Sequence, residues 1–270
     1  MKPLFFIFIP LVFFLSCSNN NEKETAKEND TIPTQEKNLR DAIAANPDSL
    51  QLKENLIQYF SDNENYEKAL AEAEKVLSKD SNNLRFWRIK AQLHFAVKDT
   101  LKSIKAYEKV IDLFPEPGDM MDLGSLYAAT KNPMALEIAD ALLIGKKANA
   151  EKEALFLKGL YYTYTGDKSK AISFFDQCLN RDYTFMFAYR EKAIALYDMG
   201  KYQESLDVLN KATTLQNGFD EGYYWAGRCY EKLNKLSDAI ENYQLAIQVA
   251  ERNEDDNVEA REALARLGIK

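Results

Sequence analysis

Small and large apolar residues recur along most of this chain at helical spacing, in two segments per block of 34 residues, so each block predicts a pair of packed helices. The period is set by turn-like positions. Pro47, Ser81, Pro115, Asn149, Tyr183 and Asn217 lie 34 residues apart. Five of these six are Pro, Ser or Asn, residues that suit a turn between helices. Six blocks then begin at Leu50, Leu84, Gly118, Lys152, Met186 and Asp220, with no insertion needed to keep the phase.

Equivalent places carry equivalent chemistry. The eighth place holds Ile57, Ala91, Ser125, Gly159, Ala193 and Gly227; the twentieth holds Ala69, Ser103, Glu137, Ala171, Ser205 and Ala239. These are mostly small and let two antiparallel helices approach closely. The fourth (Lys53, Trp87, Met121, Leu155, Tyr189, Tyr223), eleventh (Phe60, His94, Ala128, Tyr162, Leu196, Tyr230) and twenty-fourth (Ala73, Tyr107, Ala141, Phe175, Leu209, Tyr243) are mostly larger. Such groups fill the space beside the small ones, as close packing requires. Gly166-Asp167 and Gly200-Lys201 mark the turn inside a block.

Six phased blocks of this kind resemble the tetratricopeptide repeat. The best matches are Trp87, Ala91, Tyr107 and Pro115; Gly159, Tyr162, Gly166, Ala171 and Phe175; and Gly227, Tyr230, Ala239, Tyr243 and Ala246. The resemblance covers roughly residues 37–270 and implies an all-α fold: a right-handed superhelical solenoid of six helix-turn-helix repeats over 50–253, with about fourteen helices in all. Two blocks depart. Block one has Lys53 and Ile57 where an aromatic and a small residue are usual. In block three Leu123-Gly124 and Tyr127 stand one residue out of phase and Ala135 precedes the expected small position. Block three is therefore expected to keep two helices with an altered turn and to be a candidate joint. A lone helix over Asn38–Asn46, within 38–49, is expected to cap one end. Asp255 or Asp256 is expected to start a second cap within 254–270, whose Ala260, Ala263, Leu264 and Leu267 share one face. Such end helices shield the exposed faces of a repeat array.

The resemblance also implies a site. First helices line the concave face in this family, which assigns Phe156, Leu160 and Tyr164 of block four to a partner groove. Phe187, Arg190, Ile194 and Tyr197 of block five follow, with Tyr224 and Arg228 of block six. Aromatics with arginine favour binding of a peptide or partner helix; the alternative is that some of them simply pack between repeats. Arg190→Ala with Tyr197→Ala is expected to weaken capture and leave the fold intact. The corresponding places in block one, Gln51, Glu54, Gln58 and Asp62, are polar, which points to the C-terminal half. Some family members clamp a terminal carboxylate with Lys, Asn and Arg; here those places hold Glu54 and Gln58, or Phe156 and Leu160, so a chaperone-tail adaptor is not supported.

The first residues read as an address. Lys2 precedes the twelve-residue apolar run Leu4–Leu15, interrupted by Pro10 and too short to span a bilayer comfortably. With Ser16 and Cys17 this is secretory signal anatomy over 1–16. Phe14-Leu15-Ser16-Cys17 resembles the bacterial lipobox, except that Phe14 stands where leucine is usual, and the resemblance implies that Cys17 carries lipid. The alternative is an ordinary secreted protein. Residues 18–37 have no aromatic and only Ile32 as a sizeable apolar residue, so 17–37 is expected to be a disordered tether reaching about 25 Å.

Composition narrows the rest. Lys+Arg 35 against Asp+Glu 42 gives a net charge of −7, which carries no electrostatic footprint for nucleic acid. One histidine, His94, and three cysteines, Cys17, Cys178 and Cys229, form no HExxH or CxxC pattern, so no metal or cofactor is expected. His94 stands where a core aromatic is usual and reads as structural. Cys178 and Cys229 read as buried thiols. No nucleophile–base pair or phosphate loop points to an enzyme. The expectation is an adaptor in a bacterial cell envelope, anchored most simply to the outer membrane and facing periplasm or surface, with unidentified proteins as partners. A glycan-binding or nutrient-uptake accessory lipoprotein is the alternative; sugar-capture lipoproteins that carry such repeats have large inserted loops, for which the unbroken phase leaves no room.

Overall fold

The computed structural model describes residues 33–144 and 150–269. Residues 1–32, with the signal segment, Cys17 and most of the expected tether, lie outside the described residues, as does Asn149.

The described residues form fourteen α-helices and no strand. A lone helix, α1 (Thr34–Ala45), precedes six pairs. These are α2 (Leu50–Asp62) with α3 (Tyr66–Leu77), α4 (Leu84–Ala96) with α5 (Thr100–Leu113), and α6 (Pro117–Ala129) with α7 (Met134–Ile144). There follow α8 (Glu151–Thr165) with α9 (Lys168–Arg181), α10 (Met186–Asp198) with α11 (Tyr202–Leu215), and α12 (Asp220–Lys232) with α13 (Leu236–Arg252). Helix α14 (Val258–Arg266) closes the series. Several helices begin at a side chain that caps the first turn. The side chains of Asn65, Asp99 and Asp167 accept from the backbone N–H three residues on, and so begin α3, α5 and α9.

Inside each pair one residue turns the chain through the left-handed region: Glu64, Lys98, Lys131, Gly166, Gly200 and Asn234. These fall at intervals of 34, 33, 35, 34 and 34 residues. Block three is thus one residue early at its turn, and the next block restores the phase. Asn132 and Pro133 tighten the entry to α7: Ala135 N–H donates to Asn132 O, three residues back, at 3.1 Å. At the same place elsewhere Ser103 N–H reaches four residues back, to Asp99 O, at 3.0 Å. The small residue of α7 is therefore Ala135, fully buried, and not Glu137. Gly124, seven residues before the turn like Ala91 and Gly159, takes the place expected of Ser125.

Contacts divide the chain into two compact units, residues 1–119 and 120–270. In the N-terminal unit Leu56, Ile57, Phe60, Ala69, Ala73, Val76 and Phe86 share one core. Block one's odd Ile57 is compensated there: where other blocks set a small residue against a large one, Ile57 is the large member and buried Ala73 the small. Helix α1 begins four residues before the expected Asn38. Thr34 follows Pro33, whose fixed φ suits a helix start, and buried Glu36 holds the first turn by ion pairs to Arg40 at 2.9 Å and Lys68 at 3.6 Å.

In the C-terminal unit small and large residues interdigitate. Gly159 lies under the ring of Phe175 and Gly227 under that of Tyr243. In block five the pair is Ala193 and Leu209, both fully buried. Ser205 Oγ donates to Ala193 O at 2.8 Å, so a hydroxyl at the small position ties the second helix to the first. At the C-terminal end Ala260, Ala263 and Leu264 pack with Ala239, Tyr243 and Ala246. The start of α14 corrects the expectation of an Asp255 or Asp256 cap. Asn257 accepts from Ala260 N–H at 3.0 Å and donates from Nδ2 to Asp220 at 2.6 Å. An amide can do both; a carboxylate could only repel Asp220.

Candidate functional site

In the C-terminal unit the first helices touch one another across blocks, α8 with α10 and α10 with α12. Each second helix packs against first helices: α9 against α8 and α10, α11 against α10 and α12, and α13 against α12. The first helices therefore adjoin one another in this unit, and their side chains decide what that face presents.

The nine residues expected to line a groove divide sharply. Phe156 and Leu160 are buried, and Phe156 packs between Phe175 (centroids 5.8 Å apart) and Phe185 (5.2 Å, edge-on). Phe185 lies in the turn before α10. Arg190 is only 4% exposed. Its Nη1 donates to both Glu221 oxygens, at 3.0 and 2.9 Å, and its Nε to Glu191 at 2.9 Å. These three are internal, which corrects their assignment as partner contacts. Arg190 belongs to a series in which a side chain on one first helix meets one 31 residues later on the next. Glu54 pairs with Arg85, and Arg88 with Asp119, in the N-terminal unit; Arg190 pairs with Glu221 here. Opposite charges 31 residues apart were the sequence signal for this.

Tyr164, Phe187, Ile194, Tyr224 and Arg228 are half-buried. Burial, with the Glu191 carboxylate nearby, pushes the Tyr164 hydroxyl up to about 12. Phe187 sits edge-on to Phe185 at 5.5 Å, with the Arg190 guanidinium 5.7 Å from its ring centroid. Tyr197 is largely covered, its ring edge-on to Tyr202 and Trp225 at 5.2 and 5.6 Å. Sequence reasoning missed Trp225, half-buried beside Tyr224 at 5.5 Å.

These rings enclose Arg228. Its guanidinium carbon is 5.1 Å from the Trp225 ring centroid, 5.3 Å from Tyr197 and 5.8 Å from Tyr224. Nη1 donates to Tyr224 Oη at 3.0 Å and Nη2 to Tyr197 Oη at 3.4 Å. Burial works to lower its pKa, but the hydrogen bonds to Tyr224 and Tyr197 outweigh it, and the net shift is upward. Below it, burial pushes the Glu221 carboxyl up and Arg190 pulls against that.

The remaining candidate chemistry is structural. His94 is buried, and burial, then the Lys90 charge, lowers its pKa. Cys178 and Cys229 are free, buried thiols. Among the described residues no group of three or more His, Cys, Asp or Glu could hold a metal ion, and no helix is long and apolar enough to cross a membrane.

Antiparallel helix pairs stacked in a constant phase place the chain in the all-α helical-repeat solenoid class. Residues 54–116 match the model of the tetratricopeptide repeat, and residues 157–268 match that of the Psidin N-terminal TPR repeats region. The chain belongs to the tetratricopeptide repeat family, whose members bind other proteins or peptides and are generally non-catalytic scaffolds. It is similar to stress-induced-phosphoprotein 1 of Caenorhabditis elegans, at 23% identity over 232 residues, 74% of this chain and 71% of that protein. Among solved structures, a tetratricopeptide repeat protein from Parabacteroides merdae superposes with a TM-score of 0.68 at 19% identity, covering 85% of this chain and 90% of the other. PilW, a type IV pilus biogenesis factor, gives 0.57 at 16% identity, covering 79% and 97%.

Proposed function

We propose that this chain is a membrane-tethered adaptor of a bacterial cell envelope, lipidated on Cys17, which captures a peptide or partner helix on the first helices of blocks four to six. The observation that carries the groove is the half-buried strip of Tyr164, Ile194, Tyr224, Trp225 and Arg228 on those helices. Rings and a guanidinium held by their neighbours lose little freedom on binding and supply large contact area, the composition of protein-binding hot spots. The anchor is supported by the sequence Ser16-Cys17 after an apolar run, followed at once by a polar segment. Two acyl chains would hold such a protein stably at a bilayer, most simply the outer membrane.

Crosslinking in cells tests the groove. Tyr164→Ala with Ile194→Ala removes two half-buried side chains and leaves the Arg190–Glu221 pair intact. Loss of the crosslinked partner in a variant with an unchanged melting profile is expected; undiminished capture would overturn the groove reading. Labelling cells with a palmitate analogue tests the anchor independently. Label that disappears in Cys17→Ala is expected, and an unlabelled native protein would refute it.

A further inference from the structure

Arg228 differs from the other covered arginines. Arg88 and Arg190 each hold carboxylates, Asp119 and Glu116 in one case and Glu221 and Glu191 in the other. Arg228 is comparably placed, on a first helix, yet among the described residues only two phenol hydroxyls accept from it. A guanidinium has five N–H donors, so three are left over. Glu231, three residues on, does not supply the missing acceptor: it is engaged by Tyr243 Oη and by Arg266 at 2.7 Å.

Glu231 acts on Arg228 only through space, and a half-buried cation with no carboxylate in hydrogen-bond contact is costly. The three rings offset part of that cost, since a guanidinium against an aromatic face is attracted by the ring quadrupole. They also fix its orientation. Tyr197 comes from block five, Tyr224 and Trp225 from block six, and the hydrogen bonds to Tyr224 and Tyr197 pin both Nη atoms. A rigid fork with spare donors is what bidentate carboxylate binding needs.

We infer that the Arg228 cage is a subsite for one acidic side chain, Asp or Glu, of the segment bound in the groove, with that segment running on across the apolar strip. This rests on the groove reading above and names its partner chemistry. Three features favour a single side chain over a chain terminus. There is one guanidinium, with no lysine or asparagine paired to it in the cage. At the groove places where some family members clamp a terminal carboxylate, block four carries buried Phe156 and Leu160 and block six carries Tyr224 and Arg228, so no Lys and Asn stand beside the arginine. The apolar and aromatic residues Ile194 and Tyr164 extend the strip away from the cage, toward block four, and give the segment something to lie on.

The test uses the full chain and a displayed library of random twelve-residue peptides, each flanked by fixed linkers so that no free carboxyl terminus is offered. Selected peptides are expected to share an acidic residue at one position beside apolar ones. Synthesised as C-terminal amides, they should bind the native chain. Arg228→Gln should weaken them about tenfold or more, with little further loss when the acid is also changed to its amide. Arg228→Lys, which keeps the charge and loses the fork, should recover only part. Peptides that bind without an acid and are indifferent to Arg228→Gln would overturn the cage assignment and leave the groove standing. So would selected peptides that, once synthesised, bind as free acids and not as C-terminal amides. Selection of no peptide, or of peptides indifferent to Tyr164→Ala with Ile194→Ala, would overturn the groove and the cage together. Circular dichroism of Arg228→Gln must match the native chain for the loss to count as recognition. If that variant is misfolded, the comparison of acid and amide peptides on the native chain decides alone, and equal affinities overturn the assignment.

Discussion

The ring of Tyr243 fills the space that a Cβ on Gly227 would need: Cε1 stands 2.6 Å and Cδ1 2.7 Å from that position. The ring is fully buried, and its hydroxyl is held by Glu231, so it has nowhere to go. Gly227→Ala should therefore destabilise the C-terminal unit. Overpacking costs roughly 1–3 kcal/mol, which outweighs the gain of about 0.5–1 kcal/mol from replacing a helical glycine. Adding Tyr243→Leu should recover much of the loss. Gly118→Ala is the control, because nothing lies within 4 Å of its Cβ position, and it should leave the melting midpoint unchanged or raise it. A Gly227→Ala protein as stable as the native chain would show that the ring can yield.

Arg190 was expected to be a partner contact and is a strut. Removing it strands Glu221 and Glu191 in a largely covered site, where breaking a buried pair costs about 3 kcal/mol or more. Arg190→Ala should lower the urea midpoint of the C-terminal unit markedly. Arg190→Met with Glu221→Leu and Glu191→Gln should restore most of it, because no unpaired charge is then left in the site. Loss of capture by Arg190→Ala with Tyr197→Ala would then report unfolding, so that pair cannot serve as a groove test.

How far these positions were legible depends on what each pattern encodes. The pairing of Gly159 with Phe175 and of Gly227 with Tyr243 was readable because one helix geometry forces small against large in every block. The register of block three was readable only as a disturbance. Its early turn at Lys131 is offset in the next block, so the 34-residue count survives across it while Gly124 and Ala135 slip inside it. Burial of Phe156 and Arg190 was not legible from single-block periodicity, because Phe185, from the following turn, packs on the first and Glu221, from the following block, pairs with the second. The Arg228 cage was half legible: Tyr197, Tyr224 and Arg228 were singled out, but a contact 31 residues away along the chain needs the stack to be built first.

His94 gives the N-terminal unit a defined acid sensitivity. Its folded pKa lies below the ordinary value of 6.5, through burial and then the Lys90 charge, with Lys102 acting the same way and Asp99 and Glu74 opposing. The unfolded chain thus takes up the proton first. Stability is fully present above about pH 6.5, falls as the pH drops toward the folded pKa, and changes no further below it. His94→Phe supplies the aromatic usual at this place and removes the proton uptake. The native chain should lose stability relative to this variant between pH 7 and pH 5, read as the difference in urea midpoint at each pH. A constant difference would refute the assignment.

Cys178 and Cys229 turn local opening into a chemical signal. A thiol reacts as its thiolate, and burial pushes Cys178 up to about 12 and Cys229 up to about 11, with Ser205 Oγ 3.3 Å from the Cys229 sulfur. In a Cys17→Ala chain neither should react with an aromatic disulfide reagent at pH 8 until the structure opens. Stacked repeats exchange stability mainly with their neighbours and open from their ends. Cys229, on α12 in the last pair beside the cap, should therefore be labelled at lower urea than Cys178 on α9. Weakening the cap by Asn257→Ala removes the hydrogen bond to Asp220 and should move the Cys229 transition to lower urea with less effect on Cys178. Identical transitions for both thiols in both proteins would show that residues 120–270 open as a single cooperative unit.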